Sequence, residues 1–183
     1  MLEDRSEFFR RAGWVALLTL ATILGSFVFA CATPFAALAA IGALFLPRRD
    51  AFFLLGINWL ANQAIGYCFL HYPQTWDSFA WGAAIGIAAL AATAVGCGAE
   101  SLARRFGLAT TIVAAFVSSF VAYEFCLFAA TAVLPADGGF AASVILYVCE
   151  VNGLAFAGLL FLQGLGRTVG LASNRGVGVP SPA

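Results

Sequence analysis

Cys68 and His71, the chain's only histidine, stand three residues apart in Tyr67-Cys68-Phe69-Leu70-His71-Tyr72. A helix continued through them would set a thiol and an imidazole on one face. Both are donors that soft or borderline transition metals accept, so Cys68 and His71 are the candidate metal ligands. Two donors are too few to define a metal centre, and an interfacial histidine beside a packing cysteine is the plainer alternative. Tyr67, Tyr72, Trp76 and Trp81 cluster around the same stretch, as aromatic side chains do at a membrane interface.

A second group of residues carries polar chemistry in the wrong solvent. Asn58, Asn62, Gln63, Glu124, Glu150 and Asn152 all lie within apolar sequence. Counted from the far end of each apolar segment, Asn62, Glu124 and Glu150 fall about ten residues deep, at one level if the segments are helices. A charged carboxylate at the bilayer centre costs about 2.5 to 3.5 kcal/mol on insertion scales, so Glu124 and Glu150 are expected to face inward. Two readings follow. The acids, neutral, and the amides satisfy one another as interhelical glue, or they form the floor of a cavity for a solute, an ion or a proton.

The elements that must position these groups are spaced by arginines. All nine basic residues are arginine, at Arg5, Arg10 and Arg11, Arg48 and Arg49, Arg104 and Arg105, and Arg167 and Arg175. Basic residues accumulate on the cytoplasmic side of inner membranes, so each apolar gap between clusters must cross and return. Three gaps predict six spans with both termini cytoplasmic: an all-α, polytopic six-helix bundle in a bacterial inner membrane. Composition agrees, because 62% of the 183 residues are hydrophobic and 10% charged, against about 25% charged in soluble domains. The lipid bilayer is the first expected partner, and no basic surface suggests nucleic acid.

Residues 1–13 read as a cytoplasmic amphipathic lead-in, 14–166 as the six-helix transmembrane domain and 167–183 as a disordered cytoplasmic tail. The spans are expected at about 14–31, 34–47, 51–71, 79–98, 108–134 and 140–165, with turns at Ala32-Thr33-Pro34 and Pro135-Ala136-Asp137-Gly138-Gly139 and a cytoplasmic linker from Ala99 to Gly107. Thr33 can cap the second helix with Pro34 at its first position. That helix, held between Pro34 and Pro47, has about 13 residues, or roughly 20 Å against a hydrocarbon core of about 30 Å. Either its arginine end snorkels or its start sits below the outer surface and leaves a dent. The fourth span contains Gly82-x-x-x-Gly86 and is expected to be a buried packing helix.

Several chemistries lack their sequence signatures. There is no phosphate-binding Gly-x-x-x-x-Gly-Lys loop, no His-Glu-x-x-His and no Gly-x-Ser-x-Gly elbow, so the chain reads as a non-enzyme. The five cysteines contain no Cys-x-x-Cys. Only Cys31 and Cys68 could form a redox pair at the outer face. Cys97, Cys126 and Cys149 read as small apolar packing residues.

In its six spans, cytoplasmic termini, size and outward loop after the third span, the chain resembles the substrate-binding S-components of energy-coupling-factor transporters. It is most similar to their solitary cobalamin-uptake (BtuM-like) type. Ala12-Gly13-Trp14-Val15-Ala16 matches the Ala-x-x-x-Ala patch that S-components present to an energising ATPase module, which the resemblance makes an expected partner. In the cobalamin type a cysteine near the outer end of the third span can ligate the corrin cobalt, and Cys68, within NQAIGYCFLHYPQTWDS, occupies that position. Cobalamin is thereby the implied transported substrate.

The leading expectation is a membrane solute-binding or uptake protein of the vitamin or metal-chelate class. Cys68, His71, Tyr72 and Trp76 would contact a small-molecule substrate above a floor of Asn62, Glu124 and Glu150, with Trp81 as a further apolar wall. The alternatives are a non-catalytic accessory or assembly subunit of a larger membrane complex and a membrane thiol-redox protein.

Overall fold

Proline and arginine set the first complete helix. The computed structural model describes residues 13–14, 16–20, 33–135 and 141–168. Helix α1, Phe35–Phe45, starts immediately after Pro34. It stops at Leu46, whose extended backbone (φ −113°, ψ 153°) is the conformation that the following Pro47 imposes. Helix α2, Arg48–Cys68, begins at once with Asp50 in its first turn, where a carboxylate complements the helix dipole. Helix α3, Trp76–Ala103, is capped by Thr75, whose hydroxyl accepts from the Ser78 N–H at 3.4 Å. A 3-10 turn, Arg104–Phe106, and Gly107 lead into helix α4, Leu108–Ala130. Gly107 takes φ +99°, which side chains rarely tolerate. Helix α5 is Ala142–Thr168. Residues 13–14 and 16–20 are helical as well.

No strand occurs among the described residues. Three helical stretches are long and apolar enough to cross a membrane: Trp76–Phe106, Leu108–Ala130 and Ala142–Thr168. Helix α2 has the length, with 21 residues, but Arg48, Arg49, Asp50, Asn58, Asn62 and Gln63 lower its apolarity. Helix α1 is the short apolar helix that the two prolines predict, at 11 residues.

Every residue of α1 is buried, and it packs against α2, α3, α4 and α5. A helix apolar all round belongs in the middle of a bundle, where each face finds an apolar partner. Helices α2, α3 and α4 pack side by side against it in sequence, and α5 packs mainly on α1 among the described residues. At one end Arg167 lies 5.0 Å from the Phe45 ring, Arg104 pairs with the buried Glu100, and Arg48 and Glu100 are both within electrostatic reach of Cys97. The arginines of α2 and α5 and of the turn between α3 and α4 therefore share that end. At the opposite end the Trp81 indole donates to the Pro135 carbonyl at 3.0 Å, and the Tyr67 and Ser78 hydroxyls are 3.1 Å apart.

Small residues let α3 approach its neighbours. A Cβ on Gly82 would stand 2.6 Å from Gln63 Oε1, and one on Gly86 2.7 Å from the Trp59 ring. The Trp59 indole N–H donates to the Gly82 carbonyl at 2.8 Å, so Gly82-x-x-x-Gly86 is the seat of the α2–α3 contact. Against α4, α3 presents Ala92 and Gly96 to Ser119, whose hydroxyl donates to the Ala92 carbonyl at 3.2 Å and fills the place a Gly96 Cβ would take.

Several boundaries move from expectation. The linker predicted from Ala99 is helical to Ala103, because nothing before Gly107 breaks the helix. The fifth span ends at Ala130 rather than Leu134, with residues 131–133 in a turn. Residues 1–12 of the lead-in, most of the expected first span with Cys31, Ala32 of the first turn, residues 136–140, Ala12 and Val15 of the Ala-x-x-x-Ala match, and residues 169–183 of the tail lie outside the described residues.

Candidate functional site

The start of α1 is where polar groups converge. Backbone N–H groups in the first turn of a helix have no partner within the helix, and this first turn is sealed in the bundle, with Phe35 1% exposed. The Phe35 N–H goes to the Thr33 carbonyl at 2.8 Å, and Asn152 of α5, 2% exposed, takes another. Its Oδ1 accepts from the Ala37 N–H at 3.1 Å, while its Nδ2 donates to the Val148 carbonyl at 2.9 Å. Thr33, expected as the cap of α1, instead donates its hydroxyl to Asn62 Oδ1 of α2 at 2.6 Å. The cap position falls to Pro34, which has no side-chain bond to give.

This level is deep. Asn62 precedes the end of α2 at Cys68 by six residues, Asn152 follows the start of α5 at Ala142 by ten, and Tyr123 precedes the end of α4 at Ala130 by seven. At 1.5 Å per residue those intervals are about 9, 15 and 10 Å. Tyr123 marks the level because its ring centroid lies 6.2 Å from that of Phe35. The central helix thus begins roughly 9 to 15 Å below the ends of its neighbours.

Glu124 follows Tyr123 on α4 and so lies at this level along the bundle axis. Two turns below, Phe116 stacks on Phe156 of α5 with ring centroids 4.6 Å apart; eight residues rotate a helix by about 80° beyond two full turns, so Glu124 is turned away from that contact. It is partly buried. Its Oε1 is shielded from solvent and has no hydrogen-bond partner. A carboxyl oxygen left so in a low-dielectric setting is expensive and suits a proton, a cation or a ligand donor.

Glu150 corrects the expected acid pair. It is exposed, whereas Asn152, two residues on, is buried against α1. Two residues rotate a helix by about 200°, so Glu150 points away from the bundle centre. The shared polar level comprises Thr33, Asn62, Asn152 and Glu124. Asn58 lies lower on α2 and is used structurally, donating to the Leu54 carbonyl at 2.9 Å and to the Thr19 hydroxyl at 3.2 Å.

The Cys68–His71 pairing on a continued helix is also not formed. Helix α2 ends at Cys68, and His71 sits beyond it with φ +55°. The Leu70 and Tyr72 N–H groups fold back onto the Ile65 and Gly66 carbonyls, both at 3.0 Å, and terminate the helix. Cys68 and His71 are both exposed. No group of three or more His, Cys, Asp or Glu side chains converges among the described residues. Tyr72 does not stand open: its ring covers the place where a Gly66 Cβ would be, edge-on to Tyr67 at 5.9 Å. Tyr67 in turn stacks on Phe79 at 4.9 Å. Trp76, in the first turn of α3, is 79% exposed.

Sequence reasoning did not single out Gln163, which is 2% exposed on α5 with its Oε1 unpartnered. Its only signal was an amide inside an apolar run, near the arginine end rather than the polar floor. Comparison with known proteins adds no relatives: no protein-family model, curated protein or solved structure matches the chain.

Proposed function

We propose that the chain is a multi-pass inner-membrane solute-binding or uptake protein. In this reading it has six spans, its arginine end and both termini face the cytoplasm, and its site opens at the opposite end. The observation that carries the reading is the sunken start of α1, where Asn62 and Asn152 are already engaged, together with Glu124 of α4, whose Oε1 at the same level is left with no partner. A helix start far inside a bundle, with an uncompensated carboxyl oxygen at its depth, supports a receiving floor more than a purely structural one. Exposed Cys68, His71 and Trp76 would form the rim. The substrate class is a vitamin or metal chelate with a hydrogen-bond donor or cationic group for Glu124, and cobalamin is the first candidate to test. Non-enzymatic uptake against a gradient would need an energising partner such as an ATPase module.

Mass spectrometry and an absorption spectrum of the detergent-purified protein would reveal a retained corrin or metal chelate. Titration with cobalamin and with other vitamins would follow. Glu124→Gln is expected to weaken binding about tenfold to a hundredfold, as for loss of a hydrogen bond to a charged group. Cys68→Ala tests the thiol separately, through the cobalt absorption bands. Failure of the folded protein to bind any such solute would overturn the proposal.

A non-catalytic assembly subunit is the second reading. It is favoured by α5, which among the described residues packs chiefly on α1 and exposes Leu146, Leu154 and Phe161. Native mass measurement in mild detergent would show the obligate partner this reading requires.

A further inference from the structure

The α2–α3 seam has a different chemistry from the polar floor. Leu55, Gly56 and Trp59 of α2 face Ala83, Gly86, Ile87 and Leu90 of α3 across a half-open cleft of about 230 Å³, whose lining is almost wholly apolar. It opens on the outer side of the bundle, where Ile87 is 66% and Leu90 42% exposed. Its back wall is fixed by the Trp59 bond to Gly82. A Cβ on Gly56 would meet nothing within 4 Å.

Helical periodicity carries both cleft-lining faces toward the arginine end. On α2 the series Trp59, Leu55 and Phe52 continues to Arg48 and Arg49. On α3 the series Leu90, Ala94, Cys97 and Ser101 continues to Arg104 and Arg105. Trp59 meets Gly82 and Gly86, and eleven residues back along α2 and eleven on from Gly86 along the antiparallel α3 bring Arg48 and Cys97 to one level. Glu100 takes Arg104 and Arg105 lies over the Phe106 ring, while Arg48 and Arg49 are exposed. An apolar slot open to the bilayer, with exposed guanidinium groups at its foot, matches an acyl chain bearing an anionic head.

We propose that this seam binds an anionic phospholipid, one acyl chain lying in the cleft and the headgroup phosphate on Arg48 and Arg49. The site is independent of the solute-binding reading. A soluble phosphate would have the arginines but no use for the cleft, so the ligand is the diacyl lipid.

The test is native mass spectrometry of the full chain, delipidated in detergent and titrated with phosphatidylglycerol and with phosphatidylcholine of the same chains. Phosphatidylglycerol should bind about tenfold or more tighter, through its attraction to the two exposed arginines. The double variant Arg48→Gln/Arg49→Gln should erase that preference, and Arg167→Gln, at a different part of the same end, should leave it intact. Gly56→Phe, which fills the cleft, should weaken both lipids. Equal binding of the two lipids by the unmodified chain would overturn the proposal. So would a preference lost equally with Arg167→Gln, or lipid binding indifferent to Gly56→Phe in a variant whose thermal midpoint shows it folded.

Discussion

Replacing Asn152 with Leu tests whether the start of α1 is held by one side chain. The substitution keeps similar bulk but removes the acceptor for the Ala37 N–H, which lies in a first turn with Phe35 1% exposed. An orphaned buried donor costs about 1 to 3 kcal/mol, whereas interhelical hydrogen bonds in membrane proteins average about 0.6 and reach about 1.7 kcal/mol. Where the two ranges overlap, the expected loss is about 1.5 kcal/mol, close to tenfold in the unfolding equilibrium. Asn58→Leu is the matched comparison. Asn58 donates to a carbonyl of its own helix and to Thr19, so its removal strands no backbone N–H of a helix start and should cost less than about 0.7 kcal/mol. Unfolding in mixed detergent micelles measures both. Hydrogen exchange at the Ala37 amide should accelerate in Asn152→Leu alone. Equal destabilisation by the two variants, or unchanged exchange at Ala37, would refute the assignment of Asn152 as the cap of the central helix.

Other perturbations probe separate links. Gly86→Leu drives a side chain into the Trp59 ring, which a Cβ alone would approach to 2.7 Å. Overpacking should cost about 1 to 3 kcal/mol and shift the tryptophan emission, read by fluorescence during denaturation. His71→Gly relieves a non-glycine residue at φ +55° and should raise stability by up to about 1 kcal/mol, while His71→Val should lower it by about 1 to 2 kcal/mol. If His71 also contacts solute, His71→Gly will pair that stability gain with weaker binding in a titration. Ser119→Ala removes the bond to the Ala92 carbonyl and should cost about 0.6 kcal/mol in the same unfolding assay.

How far the site was legible depends on what each inference needed. Pro34 and Pro47 bracket α1 by covalent geometry, so its shortness is readable from the chain and agrees with the observed 11 residues. Gly82 and Gly86 signal close approach because they lack side chains, and the partner, Trp59, supplies the contact. Glu150 and Asn152 were not separable in the same way. In a soluble helix the polar stripe reveals which side is outside, but α5 is apolar on both its lipid and its bundle faces, so the pattern carries almost no rotational information. The Cys68–His71 spacing failed for a local reason. Backbone bonds from Leu70 and Tyr72 end the helix just where the face-sharing argument required it to continue.

By itself the sequence determined an all-helical, strongly apolar chain, punctuated by arginine pairs and prolines, because those properties follow from composition and backbone chemistry. Tertiary structure decided that the shortest helix is the central one. It also decided that Asn152, rather than the Thr33 hydroxyl, accepts from the Ala37 N–H, and that Glu124 stays partly buried while Glu150 turns outward. Helix rotation and depth are set by packing against several partners at once, and no single segment encodes the positions of the others.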